Sequence, residues 1–435
     1  MAQIIEEVAR VEPIPLSSKP ILIPGIAVRV LLGGKVMFGG GDQVRLEYQK
    51  EPLVVHEKDF LLAKKVAGRI ALALPSNKIT PATLISAMEL AYRFTAEEIF
   101  TQGALRILYY PVIQSEASAF YRCVIPSLAI NDRGRCVSYV TKERTLRQAL
   151  DFDVVVFQLD YSGGVLKFSK ELQKMGKKTV FEIDDAFDAL EEWHPSYQHF
   201  VKAGVQDQIR AVMGSVDLVT VTTPYLAERY GKYAKAIEVI PNCVTIHDLP
   251  KAEPHGTGKF RVLWAGSPSH FGDLAQVADA LREFALAHDD VRLVFFGRKP
   301  VGLDDIADKV EFHPWVNFGD FPQKLADLSA DVAIAPLADV PFNYAKSNLR
   351  IIQYGAAGYP IIGSPVGEYK RTGLGRVSLA SSKEEWVEAL ELHRSDADFR
   401  KLMKVKAEDL AADFDIAKHA PEIERIYLQL AGRES

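Results

Sequence analysis

The chain has 435 residues, of which 48% are hydrophobic and 25% charged, and a formal net charge of -5. Its length admits two or three domains with full cores, and its composition is that of a globular protein, not of a disordered or fibrous one. The negative balance excludes an overall electrostatic grip on nucleic acid, and no run approaches the roughly 20 apolar residues that cross a bilayer.

Residues 1–103 read as a β-rich module followed by a helical connector. Pro13, Pro15, Pro20 and Pro24 stiffen an extended lead-in. Strands are expected over 26–32, 35–38 and 44–48, separated by Gly33-Gly34 and Gly39-Gly40-Gly41. The glycine run has the look of a phosphate cradle, but the strand-to-helix context and lysine-hydroxyl ending of a P-loop are missing. A hairpin turn fits better. Helices are expected over 56–67, 83–92 and 95–100.

Residues 104–245 alternate strand and helix, which implies a parallel sheet. Strands are expected over 105–110, 136–140, 154–157, 179–183, 218–221 and 238–240. Helices fall over 117–130, broken or kinked at Pro126, and over 164–175, 206–213 and 224–230. Residues 246–259, rich in Pro, His, Gly and Lys, read as a linker. From 260 to 418 the alternation restarts, with strands at 261–265, 292–296, 309–312, 332–335 and 361–362. Helices follow at 384–393 and 396–413, and a last one lies at 420–430.

In the second alternating half the ends of successive strands carry chemistry. Gly266-Ser267-Pro268-Ser269-His270 opens a helix after the first strand, with Asp273 near its start. Small residues let backbone amides approach an anion there, and His270 can donate to an oxygen; the same loop also reads as a plain turn. Arg298 and Lys299 end the second strand and can neutralise a diphosphate, or stand as ordinary loop charges. Trp315, with Val316, ends the third, suited equally to flanking a base or to packing. The fourth delivers Asn343, Lys346, Ser347 and Asn348 to the start of a helix carrying Gln353. Ser347 or Asn348 can cap that helix, Gly358 can end it in the left-handed region, and Pro360 stops it. Asp184-Asp185 ends a strand of the first half, and reads from the residues alone as a helix cap or a surface ion pair.

Residues 104–432 resemble the GT-B glycosyltransferases, in particular the family-4-like "glycosyl transferases group 1" branch. The carrying residues are Gly266-Ser267-Pro268-Ser269-His270, Asp273, Ala335-Pro336-Leu337, Phe342-Asn343, Lys346-Ser347, the segment from Gln353 to Pro360, and Val239-Ile240-Pro241-Asn242. The resemblance implies an α/β fold of two Rossmann-like domains. It places a nucleotide sugar, UDP- or GDP-linked, in residues 260–418, an acceptor in residues 104–245, and a C-terminal helix (419–435) that crosses back. His270, Lys346, Asp184 and Asp185 are the expected catalytic residues. Gly266, Ser267, Ser269, His270, Arg298, Lys299, Trp315, Val316, Asn343, Lys346, Ser347, Asn348 and Gln353 are the expected donor contacts, and Ser118 and Arg122 the expected acceptor contacts. Transfer with retention, without a metal or other cofactor, is implied. Two positions depart from the pattern: where many relatives carry glutamates, this chain has Ala345 and Gln353.

The expected function is therefore a glycosyltransferase with an unidentified acceptor: a glycan precursor, a protein, a small molecule or modified DNA. A non-catalytic binding protein that keeps the fold is the alternative, and a sugar-nucleotide epimerase ranks below both. Residues 1–100 are expected to dock a partner. The sparse, odd set Cys123, Cys136 and Cys243, and an N-terminus without a basic segment before an apolar core, lead to the expectation of a cytoplasmic protein with reduced thiols.

Overall fold

The computed structural model describes residues 35–38, 43–48, 51–56, 63–64, 66–67, 90–91, 104–112, 116–131, 133, 135–142, 144–246, 249–266, 271–298, 300 and 302–433. The proline lead-in, the strand over 26–32, the two glycine turns, and nearly all of the helices expected over 56–67, 83–92 and 95–100 lie outside them. By compactness the chain divides into two units. One comprises residues 1–182, 215–219 and 419–435; the other comprises residues 183–214 and 220–418.

A small antiparallel sheet holds β1 (Lys35–Phe38), β2 (Gln43–Tyr48) and β3 (Glu51–His56), in the order β1-β2-β3. The pairing of β1 with β2 is that of a hairpin. The third strand was not expected. Pro52, which cannot donate to a ladder, hides it in the sequence, and an edge strand tolerates such a residue.

The first six-stranded sheet has the order β5-β4-β6-β7-β8-β9. Its strands are β4 (Leu105–Tyr110), β5 (Cys136–Val140), β6 (Val154–Gln158), β7 (Lys178–Ile183), β8 (Leu218–Val221) and β9 (Ile237–Val239). Neighbours β5-β4, β4-β6 and β6-β7 run parallel. Every residue of β6 is buried, as continuous apolar strands are when helices cover both faces of a sheet. After β4 the chain forms α1 (Glu116–Ala119), a π turn (Phe120–Val124) and α2 (Ile125–Asn131). The sequence predicts a helix broken or kinked at Pro126, and the structure does interrupt it, though not at the proline itself. The structure instead widens one turn ahead of the proline, where the Ile125 N–H bonds the Phe120 carbonyl. A wider turn moves the carbonyl that the ring would otherwise strike. The C-terminal residues pack within the same unit: Tyr427 meets Tyr109 edge-on at 6.1 Å, and Arg433 pairs with Asp153 at 3.0 Å.

The second sheet is wholly parallel, in the order β12-β11-β10-β13-β14-β15. Its strands are β10 (Phe260–Ala265), β11 (Val291–Gly297), β12 (Val310–Pro314), β13 (Val332–Ala335), β14 (Ile361–Gly363) and β15 (Ser378–Leu379). The two residues of β15 were too few to show in the sequence pattern. Strand order reverses between β10 and β13, and ligands of such sheets bind outside the carboxyl ends of the strands at that reversal. The flanking helices used below are α3 (Phe271–Ala275), α4 (Pro341–Ala345), α5 (Leu349–Ala356), α6 (Lys383–Ser395) and α7 (Ala397–Asp413). The short α4 was expected to be loop. Helix α5 ends as its sequence predicts: Gly358 has φ +84°, its N–H bonds Gly355, and the Tyr359 N–H reaches back to Tyr354 at 3.0 Å. This is an α/β protein with two Rossmann-like sheets and a small N-terminal β sheet. Among the described residues no helix is long and apolar enough to cross a membrane.

Candidate functional site

The reversal point of the second sheet brings together the loop after β10 and the segment after β13. Gly266, at the head of the first loop, is fixed in place by its N–H bond to the Phe296 carbonyl at 3.0 Å. A side chain there would meet the Trp264 ring at 2.6 Å and Arg350 Nη2 at 2.9 Å, so only glycine fits. Gly297, one strand over, has φ +97°, and a Cβ would lie 2.5 Å from both the Gly266 carbonyl and the Trp315 ring. The Trp315 indole stacks on Phe296 at 5.5 Å yet remains 48% exposed, which leaves ring surface for a ligand to cover. Val316 is half-buried against the core, and Arg298 is half-buried just after β11. Ser267, Ser269, His270 and Lys299 lie outside the described residues.

The segment after β13 is braced by a buried polar knot. Asp273 on α3 accepts hydrogen bonds from the Ala338 N–H at 2.9 Å and from Asn343 Nδ2 at 2.6 Å, and Asn343 also donates to the Ala338 carbonyl at 2.9 Å. Asn343 is fully buried in this knot, so its amide holds α4 in place rather than standing on an exposed rim. Lys346 follows α4. Its ammonium sits 4.5 Å above the Phe342 ring and 3.7 Å from Asp185 Oδ2, with 16% of the side chain exposed. Ser347 accepts from Asn242 Nδ2 at 2.8 Å. Asn348 is the N-cap residue of α5, but its side chain makes no cap: its amide goes to Thr372 Oγ1 at 3.1 Å. Neither Ser347 nor Asn348 closes the helix start as the sequence suggests. The first-turn amides of α5 therefore carry no side-chain cap, and their positive pole faces the end of the Lys346 segment. Gln353 lies half-buried on the second turn of α5.

Residues 184–202 belong to the same unit as this segment. Asp184 holds Thr222 through its carbonyl at 2.9 Å. The Asp185 carboxyl is pushed up to about 6, first by burial and then by the neighbouring Asp184 charge, with Lys346 pulling the other way. His194 was not singled out by the sequence. Its ring meets Phe342 edge-on at 5.2 Å, on the residue that also carries the Lys346 ammonium. The Ser196 N–H donates to His194 Nδ1 at 3.1 Å, which leaves the proton of the neutral ring on Nε2. Burial first, and the Lys346 charge second, push this imidazole down to about 4, so it is neutral at pH 7. Trp193 lies against Gly272, where a Cβ would be 2.6 Å from the indole.

The two residues expected to meet an acceptor are placed in the other unit. Ser118 Oγ accepts from Gln158 Nε2 at 2.8 Å. Arg122 is 3% exposed and forms a two-armed pair with Glu182, both bonds 2.8 Å, within the packing of the π turn on the sheet. Among the described residues no group of His, Cys, Asp and Glu is arranged to hold a metal ion.

The two Rossmann-like sheets define the fold as that of the GT-B glycosyltransferases. Solved structures with this fold include sucrose-phosphate synthase from Thermosynechococcus elongatus, with a TM-score of 0.55 at 13% identity over 75% of this chain and 99% of that one. HepE from Anabaena in complex with UDP and glucose gives 0.53 at 13% identity, over 76% and 99%. A glycosyltransferase from Rickettsia africae ESF-5 gives 0.53 at 12%, over 76% and 99%. At such identities the likeness is one of fold. No family model matches the sequence, and no curated protein matches it.

Proposed function

We propose that the protein is a nucleotide-sugar-dependent glycosyltransferase with a UDP-linked donor bound at the reversal point of the second sheet. The observation that carries this reading is a lysine, Lys346, three residues ahead of a helix start without a side-chain cap, on a sheet whose edge strand β12 leads into the half-exposed indole of Trp315. Lys346 and the α5 amides take the diphosphate, Trp315 takes the base, and Gln353 a ribose hydroxyl. Ser267, Ser269, His270, Arg298 and Lys299 complete the seat. The fold shared with sucrose-phosphate synthase and with HepE, which was solved with UDP and glucose, supports the same reading.

Leaving-group charge builds on the diphosphate as the glycosidic bond breaks. A fixed ammonium and oriented amides stabilise that charge without a metal ion, and retention of configuration needs no strong base at the acceptor. Asp185, beside Lys346, is placed to keep the ammonium oriented before the donor arrives. Residues 104–245 are the proposed acceptor side, with 1–103 as a docking module, in a protein that works in the cytoplasm.

Ala345 is fully buried and Gln353 is uncharged where many relatives carry acids, which favours a second reading, a binding protein that has lost turnover. The test is a thermal-shift and calorimetry series with UDP, UDP-glucose, UDP-N-acetylglucosamine and GDP, followed by donor hydrolysis without acceptor. Binding with slow hydrolysis supports the transferase; binding with no turnover under any acceptor supports the second reading. Lys346→Ala is expected to weaken UDP by about 1–3 kcal/mol.

A further inference from the structure

Arg350 occupies the second helical position of α5 and makes no hydrogen bond or ion pair among the described residues. Its Nη1 is shut off from solvent without a partner, and the guanidinium stands 5.6 Å from the Trp264 ring with Nη2 against Gly266. Trp264 is itself fully buried, and its Nε1 also lacks a partner. Two shielded donors without an acceptor among the described residues therefore lie on side chains that flank Gly266.

Three features of this placement cost stability. An arginine cannot shed its proton to escape burial. A shielded donor without a partner forfeits its hydration. A cation in the first turn also opposes the helix dipole. All three are relieved by one event, the arrival of an anion at the start of α5.

We propose that Arg350 is an anion-binding residue of this site and holds a phosphoryl oxygen of the nucleoside diphosphate, a role that rests on the donor site proposed above. Lys346 is already steadied by Asp185, whereas no carboxylate among the described residues steadies Arg350. It is the stronger local demand for negative charge, and its fork suits a phosphoryl group.

Calorimetry with UDP, uridine, inorganic pyrophosphate and glucose 6-phosphate on the wild type, Arg350→Met and Arg350→Lys tests this, with the melting temperature of each ligand-free protein. Arg350→Met should bind UDP and pyrophosphate at least tenfold more weakly, bind uridine as the wild type does, and melt no lower without ligand, because a half-buried guanidinium with a shielded, unpartnered Nη1 has been replaced by an apolar chain of similar length. Arg350→Lys should fall between. UDP affinity within twofold of the wild type in Arg350→Met overturns the proposal, as does an equal loss for uridine. A loss confined to glucose 6-phosphate overturns it too, by moving the anion to a second substrate. If Arg350→Met fails to fold, Arg350→Gln takes its place, and wild-type UDP affinity there counts against the role. Should the wild type bind pyrophosphate through Arg350 but no nucleotide, the anion seat stands and the donor reading falls. Binding of neither overturns both.

Discussion

At the proposed donor site the Lys346–Asp185 contact would decide how much of the lysine charge an incoming phosphate meets. With its carboxyl titrating near 6, Asp185 is mostly ionised at pH 7 and competes for the ammonium. Asp185→Asn removes the competitor, so UDP affinity at pH 7.5 should rise several-fold, and the ratio of mutant to wild-type affinity should shrink toward one as pH falls below 6. Taking that ratio at each pH cancels the titration of the ligand's own phosphate near pH 6. A ratio that is flat across pH 5–8 would mean that the two side chains do not interact in solution. Position in the fold was legible in the sequence where strands and helices meet: Trp315 follows β12, and Lys346 and Ser347 lead into α5. It was not legible for His194, which sits in a polar loop without periodicity and packs on Phe342, 148 positions along the chain in sequence number but touching it in space. Arg122 and Asn343 show the converse: side chains with binding chemistry that the fold turns inward, onto Glu182 and Asp273. Arg350 did carry a local signal, a cation placed at the wrong end of a helix.

At the level of elements, α5 depends on its fit against α7. A methyl group at Gly355 would come within 2.1 Å of the Ala407 carbonyl and 3.2 Å of Ala411 Cβ. The obstacle is backbone, so relief requires the helices to part, and Gly355→Ala should cost at least the 1–3 kcal/mol typical of overpacking, read as a lower urea midpoint. An unchanged midpoint would show that the two helices are not in close contact. The same substitution should weaken UDP binding, because it displaces the helix whose start forms the site. Alternating apolar runs, the Gly358-Tyr359-Pro360 stop and the strand-end loops made both large sheets readable. What escaped were elements without a period of their own: the two-residue β15, the five-residue α4, and the π turn, which exists because a proline downstream displaces a carbonyl upstream.

For the molecule as a whole, pH dependence follows from groups whose protonation differs between folded and unfolded chains. His393, fully buried between α6 and β15 with Nε2 on Ser378 Oγ at 2.9 Å, is pushed down to about 4 by burial and then by Arg400. The unfolded chain binds that proton near 6.5 and the folded chain only near 4, so stability is full above pH 6.5 and is lost as pH falls toward 4, a term of about 3 kcal/mol. His194 acts in the same direction. Asp185 acts in the opposite one: its folded carboxyl holds a proton up to about 6, against 3.8 unfolded, so its contribution is full below 3.8 and fades through 6. Two histidines against one aspartate leave the protein gaining stability from pH 4.5 to 6.5. Melting temperatures across that range should rise for the wild type and rise less for His393→Gln; a decline would contradict the burial of both histidines.

The account stands on a nucleotide seat at the start of α5. Titration of the intact protein with UDP by calorimetry tests it most directly: saturable one-to-one binding in the wild type, weakened about fivefold or more in Lys346→Ala with the fold intact, is the expected result. Binding of equal strength in both proteins, or no heat with any nucleoside diphosphate at millimolar concentration, would contradict it.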